Sequence, residues 1–267
     1  MNETILVKLQ GGLGNQIFQY AAALAVREAV NRRAKILCIS APNKHNLFQH
    51  NYVKDLFPEI QEMTGVEINN PCQYSQANAF ERWNPTLLPS CSFLILIGYF
   101  QYLPAFSDVI PFLQEHFFSR LFKVCPNPIV LPNGAQSAFF HIRRGDYLEH
   151  PNYHWAQTID YYKQGFEYIQ RKNPYIYKWY VFSDDIEWCT QQEFFKNKNF
   201  EFIHSVDEYN SLSLMIQCKG GAVIANSTFS WWGAMLGAEY SKNPVVYPVK
   251  WCGEEQVILF PSNWYGI

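Results

Sequence analysis

The sequence predicts an α/β protein made of two parallel-sheet units, and three observations carry that expectation. Short apolar runs of strand length alternate with longer amphipathic runs of helical length along the chain, a rhythm that fits parallel strands joined by crossover helices. A proline-dense stretch, LFKVCPNPIVLPNGAQ at 121–136, breaks the rhythm near the middle of the 267 residues. Prolines so closely spaced prevent a helix and disfavour an interior strand, so the chain divides there, into residues 1–133 and 134–267. Apolar residues make up 48% of the chain, enough for each half to bury a core.

The elements follow in order. Strands are expected at Ile5–Leu9, Lys35–Ile39, Phe93–Ile97, Ala138–Ile142, Trp179–Phe182, Glu201–His204, Ala222–Ala225 and Val245–Tyr247. Helices are expected at Asn15–Arg32, Thr158–Lys172, Ile186–Phe195, Asp207–Cys218 and Thr228–Glu239. The net charge of −2 gives no footing for nucleic acid as a partner. Seven cysteines stand singly, with no Cys-x-x-Cys, which argues against a disulfide framework or a cysteine zinc site and for a reducing compartment. The first residues enter a strand pattern at once, without the basic head and apolar stretch of a signal peptide, and no apolar run reaches membrane-span length. The expected location is the cytoplasm, with peripheral attachment at the inner membrane face left open.

Three polar motifs close three of the expected strands in the second half. Phe140-His141-Ile142-Arg143-Arg144-Gly145-Asp146-Tyr147 puts two adjacent guanidinium groups just past a strand end. Such forks match phosphate oxygens and keep their charge; a structural pair with Asp146 is the alternative. Ser183-Asp184-Asp185-Ile186 ends a strand and opens a helix. Its carboxylates can cap the helix, accept hydrogen bonds from a guanine edge or a ribose, or bind a divalent metal. Asn226-Ser227-Thr228-Phe229-Ser230-Trp231-Trp232 sets hydroxyls at a helix start, where free amides and the helix dipole favour an anion; an ordinary N-cap is the alternative. In open parallel sheets ligands bind outside the carboxyl ends of the strands, so the three together suit a nucleoside diphosphate.

In the first half, Ile5–Leu9 leads through Gln10-Gly11-Gly12-Leu13-Gly14-Asn15-Gln16 into a helix. The spacing fits neither the dinucleotide fingerprint nor a Walker A loop, so neither a nicotinamide cofactor nor ATP is expected. Asn15 and Gln16 are the polar groups placed to face a ligand.

GGLGNQIFQYAAALA, HIRRGDY, FSDDIEW and NSTFSWWGAMLG, in that order over nearly the whole chain, resemble the α-1,2-fucosyltransferases of glycosyltransferase family 11, bacterial type. The resemblance implies a GT-B-like fold, two Rossmann-like domains facing across a cleft between donor and acceptor. It implies GDP-β-L-fucose as donor, inversion at the anomeric carbon, a terminal β-galactoside of an oligosaccharide or polysaccharide as acceptor, and no cofactor or obligate metal. By resemblance, Arg143 and Arg144 lie near the diphosphate and His141 supports that turn or touches the nucleotide. Asp184 or Asp185 reads guanine, Ser227, Thr228 and Ser230 hold phosphate oxygens, and Asn15 reaches the diphosphate or fucose. Arg143, Arg144 and a helix N-terminus would neutralise the charge building on the departing phosphate, with Arg144 the group whose loss should cost most. The acceptor hydroxyl must lose a proton, and Asp146, Glu149 and His154, which follow the arginine turn, are the candidate bases; Asp146 could instead hold the arginines.

Overall fold

The computed structural model describes residues 3–41, 48–64, 68, 70–125, 128–196, 199–204, 207–237, 242–253 and 257–267. The chain forms two compact units, Met1–Arg120 with Gln256–Phe260, and Leu121–Glu255 with Pro261–Ile267.

The first unit contains β1 (Thr4–Leu9), α1 (Leu13–Val30), β2 (Lys35–Ser40), α2 (Tyr52–Leu56), β3 (Ile60–Glu62), β4 (Cys72–Ser75), β5 (Phe93–Ile97) and most of α3 (Ile110–Val124). Its strands are all parallel, in the order β3-β2-β1-β5-β4. Helix α1 is buried nearly all round, from Leu13 to Val26, because its run of Ile, Phe, Tyr and Ala leaves no polar face to turn to water.

The second unit contains β6 (Ser137–Ile142), α4 (Gly145–Glu149), α5 (Ile159–Lys172), β7 (Lys178–Ser183), α6 (Ile186–Gln191), β8 (Phe200–Phe202), α7 (Glu208–Gln217), β9 (Gly221–Val223), α8 (Thr228–Met235), β10 (Val245–Tyr247) and β11 (Tyr265–Gly266). These strands too are all parallel, ordered β11-β10-β9-β6-β7-β8. Every residue of β6 is buried, as a central strand covered on both faces requires. Phe140 and Trp179 meet on neighbouring strands with ring centroids 4.7 Å apart, in a cluster with Tyr161, Tyr162, Ile169 and Val223.

The expected interior strands are present with ends shifted by a residue or two. Those absent from the sequence reading, β3, β4 and β11, are all edge strands, which carry short or half-exposed sequences such as CQYS and so little apolar signal. Helix α3 was also missed. Its buried Ile110, Leu113, Phe117 and Leu121 recur at helical spacing, but Pro111 at its start and Phe118 and Phe122 next to the last two blur the stripe. The helix expected at Ile186–Phe195 stops at Gln191, and a 3-10 turn follows at Glu193–Lys196. The end of the helix expected to reach Glu239 lies outside the described residues.

The sequence put the division between 133 and 134; the compact units divide between Arg120 and Leu121. The described part of the proline-rich stretch is no free linker. The Gln217 amide donates to the Ile129 carbonyl at 2.9 Å and accepts from the Leu131 amide at 2.9 Å, which fastens the stretch to the end of α7. Near the C-terminus, Ile258 accepts from the Leu103 amide at 3.2 Å, which returns 256–260 to the first unit. None of the seven cysteines is in a disulfide. Among the described residues no helix is long and apolar enough to cross a membrane.

Candidate active site

In both sheets the strand order reverses beside the first strand, between β1 and β5 and between β6 and β9. Crevices at such reversals, at the carboxyl ends of the strands, are where open parallel sheets take ligands. The Gly-rich turn follows β1. The three motifs of the second half follow β6, β7 and β9, which are neighbours in the order β9-β6-β7.

The arginine turn is locked by counter-charges. Arg143 Nη2 lies 2.8 Å from Asp146 Oδ1 and its Nη1 lies 3.0 Å from Asp184 Oδ2. Arg144 Nε lies 3.0 Å from Asp185 Oδ2, its backbone amide donates to Asp184 Oδ1 at 2.9 Å, and its guanidinium stacks 4.0 Å above the Trp188 ring. Gly145 leaves room for the Asp184 carboxylate, since a Cβ there would meet its Oδ2 at 2.8 Å. The pair with Asp146 that the sequence left open as the alternative is present at Arg143, and Asp184 and Asp185 add to it, so three carboxylates face two guanidiniums. Arg143 is engaged on both nitrogens of its fork. Arg144 uses only Nε, and among the described residues its terminal nitrogens meet no carboxylate.

The two aspartates divide their work. Asp185 caps α6 by accepting from the Trp188 amide at 3.0 Å, while its own amide donates to Ser183 Oγ at 2.9 Å. Asp184 borders a cavity of about 320 Å³ lined also by Phe182, Ser183, Ile186, Ile203, His204 and Ser211. That volume is at the low end of the range for small-molecule sites.

Ser227 stands at the N-cap of α8, and its side chain makes no capping hydrogen bond, so among the described residues the N-cap side chain leaves the first-turn amides without a cap. Ser227 and Thr228 are partly exposed. Ser230 is fully buried, and its hydroxyl donates to the carbonyls of Ser227 at 3.3 Å and Ala225 at 3.5 Å. It ties the turn from inside rather than offering a free donor at the surface. Buried Asn226, which heads the third motif but was given no role by the sequence reading, knots the site together. It donates to the Trp251 carbonyl at 2.9 Å, accepts from Gln157 Nε2 at 3.3 Å, and its carbonyl accepts from Tyr147 Oη at 2.8 Å.

His141 is buried near the end of β6, and among the described residues its Nδ1 has no hydrogen-bond partner. Burial, aided by the Arg143 charge, pushes its pKa down to about 3, so the ring is neutral at ordinary pH. His154 stacks on Tyr147 with centroids 4.3 Å apart, and burial lowers its pKa too, against the pull of Asp146. Glu149, at the end of α4, is exposed.

In the first unit, Gly11 adopts φ 78°, and a Cβ there would meet Asn15 Nδ2 at 2.6 Å. Asn15 Oδ1 accepts from Gln101 Nε2 at 3.2 Å. Gln16, expected to face a ligand, is buried and donates back to the Gly11 carbonyl at 2.9 Å. Gln19 brackets Gln10, accepting from its amide at 2.9 Å, and donates to the Gly98 carbonyl at 3.1 Å. Among the described residues, no three His, Cys, Asp or Glu side chains are grouped to hold a metal ion.

The family model for glycosyl transferase family 11 matches residues 1–266. The chain is 29% identical to the O-antigen biosynthesis glycosyltransferase WbnK of Escherichia coli, with 97% of this chain and 99% of the relative covered. It is 27% identical to an α-1,2-colitosyltransferase of Escherichia coli, with 98% of each covered. The solved structure of the NodZ α-1,6-fucosyltransferase soaked with GDP-fucose is similar in fold, with a TM-score of 0.50, 9% identity, and 88% of this chain and 93% of that one covered. The α/β, GT-B-like architecture expected from the sequence is the architecture found.

Proposed function

The chain belongs to glycosyl transferase family 11, and on that premise we propose that it moves L-fucose from GDP-β-L-fucose, with inversion, to the 2-hydroxyl of a terminal β-galactoside. One observation carries this reading: an arginine turn and a hydroxyl-bearing helix start share the carboxyl edge of adjacent strands at the strand-order reversal. A diphosphate there takes charge-assisted bonds from Arg144's terminal nitrogens and from the amides opening α8, with the hydroxyls of Ser227 and Thr228 beside them. In this reading guanine occupies the cavity that Asp184 borders, with Asp184 rather than the helix-capping Asp185 meeting its N1 and N2 groups. Neutral His141 supports the arginine turn from beneath.

Breaking the C1–O bond leaves negative charge on the departing diphosphate. Fixed guanidinium and amide dipoles already aimed there stabilise it without reorganising. A bound divalent ion is not required by this scheme, and transfer is expected at full rate in EDTA. Among the candidate bases, Asp146 is committed to Arg143. That leaves Glu149 and the neutral, partly buried His154 to take the acceptor proton.

A colitose donor is the second reading, favoured by the α-1,2-colitosyltransferase among the relatives; colitose is L-fucose without its 3-hydroxyl. The deciding experiment supplies GDP-fucose and GDP-colitose in turn with a panel of β-galactosides, follows GDP release, and maps the linkage of the product. Faster turnover of GDP-fucose and a new bond at the galactose 2-position support the first reading. Turnover of GDP-colitose alone, or a bond elsewhere, overturns it.

A further inference from the structure

The edge of the second sheet opposite the arginine turn carries an unusual surface. Tyr175 is 76% exposed, Val130 62%, Tyr177 45% and Ile129 43%. They lie on the segments entering β6 and β7, and hydrogen bonds hold those segments together with the one entering β9. Asn133 Nδ2 donates to Tyr177 Oη at 3.0 Å, the Lys219 amide to the Gly134 carbonyl at 2.9 Å, and Asn173 Nδ2 to the Gly220 carbonyl at 3.1 Å. Arg171 and Lys219 stand exposed beside them. Segments 128–136, 171–178 and 217–220 contain no acidic residue, and the Glu201 carboxylate at this edge is taken by Lys178 at 2.6 Å.

We propose that this rim is a docking surface for an anionic lipid bilayer. Tyrosines and branched aliphatics on loops insert at the level of the lipid headgroups, and Lys and Arg around them pair with anionic lipid. A second copy fits less well, since a two-fold contact would set one cationic rim against another. The rim lies at the amino ends of strands whose carboxyl ends hold the arginine turn. Six-residue β6 separates them by about 20 Å at about 3.3 Å per residue, so docking leaves the site open to a glycan.

The test is sedimentation of the purified full chain with phosphatidylcholine vesicles, with and without phosphatidylglycerol. Binding is expected only with phosphatidylglycerol and should weaken as salt rises. Arg171→Glu with Lys219→Glu should weaken it by about tenfold or more, and Val130→Ser with Tyr175→Ser several-fold, both with unchanged melting temperature and unchanged GDP release in solution. If the reversals impair folding, Arg171→Gln with Lys219→Gln reads the same charge effect. Equal binding to both vesicle types, or variants that bind like the parent, would overturn the proposal. So would a dimer seen by light scattering that the variants abolish while no vesicle binds.

Discussion

The Gly-rich turn after β1 and the arginine turn after β6 occupy the same topological position, each beside the strand-order reversal of its own sheet, yet they are built by different physics. The first is a backbone device: a glycine at positive φ, with Gln16 and Gln19 spending their amides on the loop's own backbone and on Gly98. The second is a charge device, two guanidiniums aimed by three carboxylates and a tryptophan face. A backbone turn fails by unfolding. A charged turn at a partly exposed edge can lose a group and remain folded at some cost in packing and pairing, while what the group does to a bound phosphate is lost in full.

Four changes sharpen that contrast. The largest effect is expected for Arg144→Ala: turnover of the nucleotide sugar should fall about a hundredfold or more, while the protein stays folded with a melting temperature lowered by the lost Trp188 stacking and Asp185 pair. Unchanged turnover would remove the arginine from the reaction. Next is acidification. His141 is neutral in the fold, with a pKa near 3, whereas an unfolded chain protonates it below about 6.5. Stability is therefore full above about 6.5 and falls as pH drops toward 3, by about 2 kcal/mol between pH 6.5 and 5. Denaturant midpoints across that window should slope less in His141→Asn, and equal slopes would contradict the assignment. Gly11→Ala should cost about 1–3 kcal/mol through strain and the Asn15 contact, read as a melting temperature several degrees lower. A stable Gly11→Ala enzyme with lost turnover would mean that this turn, too, acts on the ligand. Smallest is Tyr147→Phe, which strips the hydroxyl from the Asn226 carbonyl, about 1 kcal/mol by thermal unfolding, with turnover altered less than in Arg144→Ala.

Much of this was legible in the linear chain. The strands that form the two sheet interiors announce themselves as apolar runs, and the polar residues after Ile142, Ser183 and Ala225 stand out because they interrupt such runs. The edge strands β3, β4 and β11 did not, since one side of an edge strand meets solvent and tolerates polar sequence. The role of Asn226, though the residue heads a quoted motif, stayed hidden for a different reason. Its three bonds go to Tyr147, Gln157 and Trp251, up to 79 residues away, and nothing local marks a residue whose partners are all distant. His204 and Ser211, which line the cavity beside Asp184, escaped notice likewise, although a histidine at a strand end was the available signal.

The sequence by itself determined the alternation of strand and helix, the family, and which residue types stand at the strand ends, because local periodicity and short polar motifs are written in the order of the residues. Only the tertiary structure decided that β9, β6 and β7 are neighbours, that Arg143 is spent on two carboxylates while Arg144 keeps its terminal nitrogens, and that Ser230 turns inward. Those facts depend on which distant segments pack side by side, and the pairing of charges and hydroxyls follows from that packing rather than from their spacing along the chain.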